Sequence, residues 1–392
     1  MPLLLPNNNY LSRYYNHLLM LKTYRYRLKP TKSQVTILER QLELCRFVYN
    51  DTLAYRKNAW ELEQRTVKRF ETQDRLPQLK LEVPELKDVY SLVLQNVALR
   101  VELAFKAFFR RVKAGEEPGY PRFKGKSRYD SITYSQSGFE LDSEMLHLSK
   151  IGDIKIKLHR PIEGKIKTCT IRRMPTGKWF ACFSVEMGDI PRPPWKDGSV
   201  VGIDVGLASF ATLSNGEKID NPRFFREDEL ALAKAQSKRD KLPKGSSLRR
   251  KASKVVTRIH ERIGDKRTDF SNQVSRQLVN RFGVIVFEDL DIQNMLKNHH
   301  LAKSISDVAW GMLVKATESK AAYAGSKVVL VDPKYTSQMC SRCGMIVKKD
   351  LSERIHNCSE CGLTMDRDLN AAINILRLGM QSVRKSDRSP VL

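Results

Sequence analysis

Four cysteines stand as two pairs: Cys340 and Cys343 close one Cys-x2-Cys turn, Cys358 and Cys361 another, with fourteen residues between the pairs. A turn of that length points two sulfurs the same way, and two such turns offer four thiolates in a tetrahedron, which suits zinc. Gly344 and Gly362 follow the second cysteine of each pair, where the chain must turn tightly. All four ligands are cysteine and no coordination position is left open, so the Zn2+ read from this spacing is structural. Cys45, Cys169 and Cys182 are isolated in apolar-patterned segments and read as reduced core residues. The whole pattern favours a reducing compartment and a metal over a disulfide framework.

Three carboxylates raise a second kind of chemistry. Asp204 ends the strand-like "VVGID", Glu288 ends "IVFE", and Asp368 opens the helix-like "DLNAAINIL" just after the second cysteine pair. Singly, each has an ordinary account: a turn residue, a strand-end surface acid, a helix N-cap. Together they ask for more, because an apolar strand does not carry an acid near its end without a compensating partner. Two such strands side by side would bring Asp204 and Glu288 together, and a helix packed on their sheet would add Asp368. Three carboxylates in one cleft repel one another and attract divalent cations. Two such ions about 3.5–4 Å apart activate water and stabilise the leaving oxygen in phosphodiester hydrolysis. All-oxygen ligands suit Mg2+ or Mn2+, not zinc. Asp366, two residues before Asp368, is a lesser candidate.

The elements that must position these groups follow from periodicity. With 392 residues, two or three domains are expected. Patterning begins at Met20, where "LKTYRYRLKP" alternates like a strand, so residues 1–19 are expected to lie outside the fold as a disordered extension. Thr31 to Gln34 fits a capping box, and Leu38, Leu42, Cys45 and Val48 follow at helical spacing. A second helix is predicted over about 85–113, with Val97, Val101, Phe105 and Phe108 on one face, after a polar connection near 62–83. From about 118 the period becomes two, and "DIKIKLHR", "KIKTCTIRR" and "KWFACFSVEM" read as antiparallel strands. The first strand and this region therefore form one β-domain interrupted by helices. "PRPPW" (191–195) reads as a linker. Beyond it come a strand, a glycine turn and a hairpin with Asn215-Gly216 at its tip. A long basic helical region is expected over 223–281, then buried strands at "VIVFEDL" and "KVVLVDP" around a helix over 306–325. The final helix is expected to give way to a disordered tail over 381–392.

Charge points to the partner. Lys and Arg number 69 against 44 Asp and Glu, a formal net charge of +25. Such an excess raises the local concentration of polyanions and speeds encounter with phosphate backbones. It is clustered: Lys234 to Arg267 holds 13 basic against 3 acidic residues, with Arg249, Arg250 and Lys251 at its centre as expected phosphate contacts. Phe105 to Tyr129 mixes eight basic residues with six Phe or Tyr. Phe105, Phe108 and Phe109 are expected in the core. Tyr120, Phe123 and Tyr129 are expected to stack on bases, and Arg122, Lys124, Lys126 and Arg128 to meet backbone. No apolar run reaches the ~18 residues that span a bilayer. The N-terminus lacks a secretory pattern. A cytoplasmic protein is expected, with no membrane partner.

In order along the chain, "GIDVGLASFATLSNG", "VFEDL", "YTSQMCSRCG", "CSECG" and "DRDLNAAINIL" resemble the TnpB proteins of insertion sequences, apparent ancestors of type V CRISPR effectors. With "LKTYRYRLKPTKSQ" and "PRFKGKSRYDSITY" near the front, the resemblance runs from about Met20 to Gly379, with no departure at the acidic positions. It implies an α+β multidomain chain, nucleoid-associated in a prokaryotic cell. An RNase H-like (RuvC) nuclease domain would occupy 198–334 and 363–380, with a zinc-ribbon insert over 335–362. An antiparallel β wedge domain would occupy 20–30 and 118–190, interrupted by a helical recognition domain over 31–117. It further implies Asp204, Glu288 and Asp368 as catalytic acids and an RNA-guided DNA endonuclease whose partners are a guide RNA and target double-stranded DNA. Guide pairing would choose the target, and the protein would read a short flanking motif. Two other readings use the same residues: a transposase that joins DNA ends, and a catalytically silent RNA-guided DNA-binding protein, which would need a broken acid. A zinc-ribbon RNA-binding protein would leave the three ordered acids unexplained. Guide sequence, flanking motif and oligomeric state are not legible in the residues.

Overall fold

The alternation in "LKTYRYRLK" makes a strand because Tyr24, Tyr26 and Leu28 all go inward on one pleat face. The computed structural model describes residues 21–126, 128–188, 199–291, 295, 310–350 and 353–388. The expectations for residues 1–19 and for the 191–195 linker lie outside them. The chain divides into two compact units, 1–190 and 191–392.

In the first unit β1 (Leu21–Lys29) sits inside a seven-stranded antiparallel sheet with β2 (Ser131–Ser135), β3 (Phe139–Asp142), β4 (Met145–Leu148), β5 (Gly152–Lys157), β6 (Lys165–Arg173) and β7 (Trp179–Glu186), in the order β2-β6-β7-β1-β5-β4-β3. Between β1 and β2 the chain is helical. Helix α1 (Lys32–Glu63) opens with the capping box: the Gln34 N–H donates to Thr31 Oγ1, and Gln34 Oε1 accepts from the Thr31 N–H. Leu38, Leu42, Cys45 and Val48 are buried, as their spacing predicted. The connection expected to be merely polar folds as α2 (Arg69–Asp74) and α3 (Leu76–Glu82), whose buried Thr72, Leu76 and Leu79 fall on too few turns to register as periodic. Helix α4 starts at Ser91, six residues later than expected, because Pro84 to Asp88 form a separate 3-10 turn. Strands β2, β3 and β4 escaped the sequence reading; they are four or five residues long, too short for alternation to stand out.

The second unit is built on a five-stranded sheet in the order β10-β9-β8-β11-β12, from β8 (Val200–Val205), β9 (Ser209–Leu213), β10 (Lys218–Asp220), β11 (Val284–Glu288) and β12 (Lys327–Val331). The three strands from β10 to β8 are antiparallel neighbours, and β8, β11 and β12 run parallel. The basic region between β10 and β11 is two helices, not one: α5 (Phe224–Asp240) and α6 (Ser247–Arg281), separated by Pro243 and Gly245. Helix α7 (Trp310–Ala324) precedes β12, and helix α8 (Arg367–Arg388) closes the chain. The expected tail from 381 is thus wrong as far as Arg388: Val383 still packs on the sheet, and the helix goes on with it.

Helices cover both sheet faces, so the strands read as continuous apolar runs. Val201, Ile203, Ile285 and Phe287 pack with α6 and α7 through Val274, Leu278, Trp310 and Leu313. Val284, Val286 and Val331 face the other way, onto Ile375 and Val383 of α8. That second contact is close because Gly202 leaves room: a Cβ there would lie 2.2 Å from the Ala372 carbonyl oxygen and 2.5 Å from the Leu376 nitrogen. Backbone atoms inside a helix cannot step aside. Gly202→Ala should therefore lower the stability of this unit by about 1–3 kcal/mol in urea unfolding. Gly264→Ala, on α6 with nothing within 4 Å of the new methyl, should raise it by about 0.5–1 kcal/mol.

Candidate active site and metal centre

Side-chain parity decides where the acids point. Asp204 shares a pleat face with Gly202, and Glu288 with Val284 and Val286, so both carboxylates lie on the α8 side of the sheet. The parallel register pairs Ile203 with Phe287, which sets the two acids side by side at the carboxyl ends of neighbouring strands. In open sheets with parallel strands that is where ligands bind. Asp368, in the first turn of α8, joins them from above the sheet. Protein packs most of the way around Asp204 and Glu288, leaving each an edge open to solvent.

The electrostatics work against bare anions in this cleft. Desolvation pushes Asp204 well above the usual carboxylate range, and the neighbouring charges of Glu288 and Asp368 push the same way, against Arg367. Burial also raises Glu288, opposed by a hydrogen bond from the Thr336 hydroxyl. Asp366 behaves differently. Burial works to raise it too, but Lys218 Nζ at 2.7 Å and two helix N–H groups outweigh that and lower it. Those N–H groups, of Asp368 and Leu369, each lie 3.0 Å from Asp366 Oδ1. Asp366 is therefore the N-cap of α8, and the ordinary account of Asp368 as the cap does not hold. Capping by Asp366 leaves the Asp368 carboxylate available to the cleft.

The donor set fits a hard divalent ion: three acids, all oxygen, two of them unfavourable as anions until a cation joins them. The cysteine quartet fits a soft one. Among the described residues, Cys340, Cys343, Cys358 and Cys361 form the one group of three or more candidate ligands gathered closely enough to hold a metal, their ligand atoms all within 4.8 Å of one another. The two turns are built alike. The Gly344 N–H donates to the Cys340 carbonyl and the Gly362 N–H to the Cys358 carbonyl, both at 2.9 Å, with φ of +82° and +68° at the two glycines. Sγ–Sγ distances of 3.6 Å for Cys340–Cys361 and Cys343–Cys358 approach the edge of about 3.8 Å that a tetrahedron with Zn–S near 2.3 Å requires. Desolvation opposes ionisation of Cys340, yet the Cys343 and Arg342 N–H groups and His356 bring its thiol down to about 5. Strands β13 (Ile355–Asn357) and β14 (Thr364–Asp366) form a hairpin that brings the second cysteine turn back to α8.

The expected nucleic-acid contacts sort unevenly. Arg122, Phe123, Lys126 and Arg128 are exposed, as are Tyr120, Arg250 and Lys251. Lys124 is half-buried: its carbonyl accepts from Arg46 and Asn50, and its ammonium lies over the Tyr49 ring. Tyr129, expected to stack on a base, is buried against Tyr49 and hydrogen-bonded to Arg100. Arg249 is also spent on structure. It binds the carbonyls of Arg239 and Leu242 at 3.0 and 2.8 Å, closing the C-terminal end of α5. Phe109, expected in the core, is 59% exposed. It lines a cavity of about 390 Å3 with Trp60, Phe105, Phe108, Tyr120, Arg56 and Arg65. Trp60 was missed because it stands alone among charged residues; its signal was an aromatic off the buried stripe of α1.

The segment 182–299 matches a family described as "Probable transposase", 310–375 a Cas12f1-like TNB domain, and 20–65 a helix-turn-helix domain. As far as it is described, that last segment is strand β1 followed by the single helix α1. The "Putative RNA-guided DNA endonuclease" of Streptomyces pristinaespiralis is 38% identical over 332 residues, 83% of this chain and 81% of that protein. The "Putative RNA-guided DNA endonuclease InsQ" of Escherichia coli is 30% identical over 379 residues, 92% of each. A solved structure of a mini-RNA-guided endonuclease, CRISPR-Cas_phi3, aligns over 92% of both chains at TM-score 0.49 and 9% identity. Identities of 38% and 30% over 81% and 92% of two relatives' length place the chain in the TnpB family of insertion-sequence proteins.

Proposed function

We propose that this chain is an RNA-guided DNA endonuclease of a transposable element, hydrolysing phosphodiesters at Asp204, Glu288 and Asp368. The observation that carries this is the convergence of two strand-end acids on one sheet face, beneath a helix that brings the third. The family's curated relatives carry the same activity in their names. The strand order and the helices on both faces support an RNase H-like (RuvC) nuclease domain over 198–334 and 363–380, with the cysteine insert over 335–362 holding a structural Zn2+. The first unit then supplies the wedge sheet (20–30, 118–190) and the helical recognition domain (31–117). Among the described residues no helix is long and apolar enough to cross a membrane.

Bound Mg2+ or Mn2+ ions would supply a nucleophilic water at neutral pH and charge neutralisation at the leaving oxygen. The chain's own groups do the rest. Asp204, Glu288 and Asp368 would hold these ions, with Asp204 between the charges of the other two acids. Asp366 stays on its helix and its lysine. Guide RNA and target DNA meet the exposed basic and aromatic residues: Arg250 and Lys251 on α6, and Tyr120, Arg122, Phe123, Lys126 and Arg128 in the first unit. Trp60 and Phe109 join Tyr120 as stacking surfaces around their cavity.

Asp204 and Asp366 have opposite effects on stability. Asp204 is raised in the folded chain, so folding retains a proton that the unfolded chain has released, and stability falls as pH rises from about 4 toward Asp204's own folded value. At neutral pH, without divalent ions, Asp204→Asn should raise the Tm by about 2–4 °C, what about 1 kcal/mol is worth in a domain of this size. Asp366 is lowered, and Asp366→Ala should cost about 1 kcal/mol through the lost cap. Added Mn2+ should raise the Tm of the wild type and leave Asp204→Asn nearly unmoved. The same shift in both proteins would place the ion elsewhere.

The charged surface makes a separate prediction. Neutralising Arg250 and Lys251 should flatten the plot of log affinity for RNA against log salt by roughly one unit per contact. Arg249→Ala should leave that slope alone and lower thermal stability instead, because its guanidinium serves the end of α5.

The deciding experiment uses the protein purified with the RNA it carries. Replacing the guide end of that RNA should redirect cleavage to the matching DNA, RNase should abolish cutting, and Asp204→Ala should stop cutting without loosening RNA. A DNA-joining transposase predicts activity at fixed transposon ends that survives RNase. Cleavage indifferent to guide sequence would overturn the proposal.

A further inference from the structure

The cysteine insert is tied to the catalytic strand by side chains for which neither metal site accounts. Thr336 is buried and its hydroxyl reaches Glu288 Oε1. The hydroxyl oxygen also lies 3.0 Å from the Pro333 carbonyl, the longer of its two contacts, against 2.5 Å to the carboxylate. The Thr336 carbonyl accepts from Asn374 Nδ2 at 2.9 Å, and that amide also donates to the Met339 carbonyl at 2.7 Å. Asn370 Nδ2 donates to the same Met339 carbonyl at 2.8 Å, while its Oδ1 accepts the Ser341 N–H at 2.9 Å. Ser341 is the neighbour of Cys340. A continuous run of hydrogen bonds thus leads from the catalytic glutamate to the first cysteine turn.

Two features separate this run from ordinary loop anchoring. Asn370 and Asn374 are both wholly buried, four residues apart on one face of α8, and both are aimed at one strap, residues 336–341. Buried amides are costly unless satisfied, so the strap has little freedom while α8 is in place. The strap also starts from strain: Tyr335 has φ of +63°, a left-handed conformation that costs a bulky residue on the order of 1 kcal/mol or more. A strained residue directly before Thr336 fixes the direction in which the threonine enters the site.

We propose that Thr336, held by Asn374 and through Met339 by Asn370, is a positioning residue for Glu288, so that closure of the cysteine turns around their metal sets the geometry of the acidic site. This rests on the acidic site being the one proposed above. The insert then serves the chemistry through the protein interior, apart from any contact it makes with nucleic acid.

The test measures Mn2+ binding to the full-length protein by electron paramagnetic resonance, with no nucleic acid present and with Asp204→Ala as the reference for the acidic site. Thr336→Val should weaken Mn2+ binding about tenfold or more, the usual loss when a hydrogen-bond partner of a ligand is removed. Thr336→Ser, which keeps the donor, should bind within about threefold of wild type, well inside that loss. Stripping zinc with a chelator should weaken Mn2+ binding in the wild type by a similar factor and in Thr336→Val by little more, because the two perturbations break one chain. Wild-type affinity in Thr336→Val, or losses from zinc removal and from Thr336→Val that simply add, would overturn the inference and leave the acidic site standing. A wild type that binds Mn2+ no better than Asp204→Ala would take down both.

Discussion

The second unit is organised around a charge that its own fold disfavours. Asp204 and Glu288 end adjacent parallel strands on the same pleat face, where burial and mutual repulsion both oppose ionisation. Parallel pairing of β8 with β11 is what forces the proximity, and parallel pairing in turn demands helical crossovers and cover on both faces. Helices α6 and α7 on one side and α8 on the other meet that demand. The close seat of α8 over Gly202 then sets how near Asp368 comes to the strand ends. A small residue buried in a strand and an acid at a helix start are parts of one arrangement.

Charge is divided between structure and surface in a way that the net figure hides. Of the three consecutive basic residues at 249–251, Arg249 closes the end of α5 and the other two remain exposed. Lys218 is held by Asp366, and Arg281 by Glu217 in a two-point pair. Exposed pairs of this sort are worth little in stability. Their effect is to fix which cations stay on their partners and which can meet a phosphate.

The candidate site was more legible in the residues than its frame. Asp204 and Glu288 were visible because an acid interrupts an apolar run, and the cysteines because their spacing has few other uses. The choice between Asp366 and Asp368 was open to residue types alone; it turns on which carboxylate accepts the helix N–H groups, a matter of backbone direction. Short elements were lost for the same kind of reason. Four residues of β3 or β4 give two alternations, too few to stand out from chance, and α2 shows one buried position. The break between α5 and α6 was written in Pro243 and Gly245, but basic residues continue through it and masked the stop. Tyr129 misled because an aromatic among turn residues looks exposed until a partner such as Tyr49, 80 positions away, covers it.

Thr336, Asn370 and Asn374 mark the limit of reading by motif. None is a ligand or a charged group, and "DLNAAIN" reads as an ordinary helix with two polar residues facing inward. Two buried asparagines one turn apart are nonetheless a signal in physical terms, since each carries donors and an acceptor that must be met inside the protein. Here they are met by the backbone of 336–341. The insert between β12 and α8 is therefore not a loop that the sheet and helices of the second unit merely tolerate. The helix that carries one acid also holds the strap that touches another, and displacing either would be felt at both.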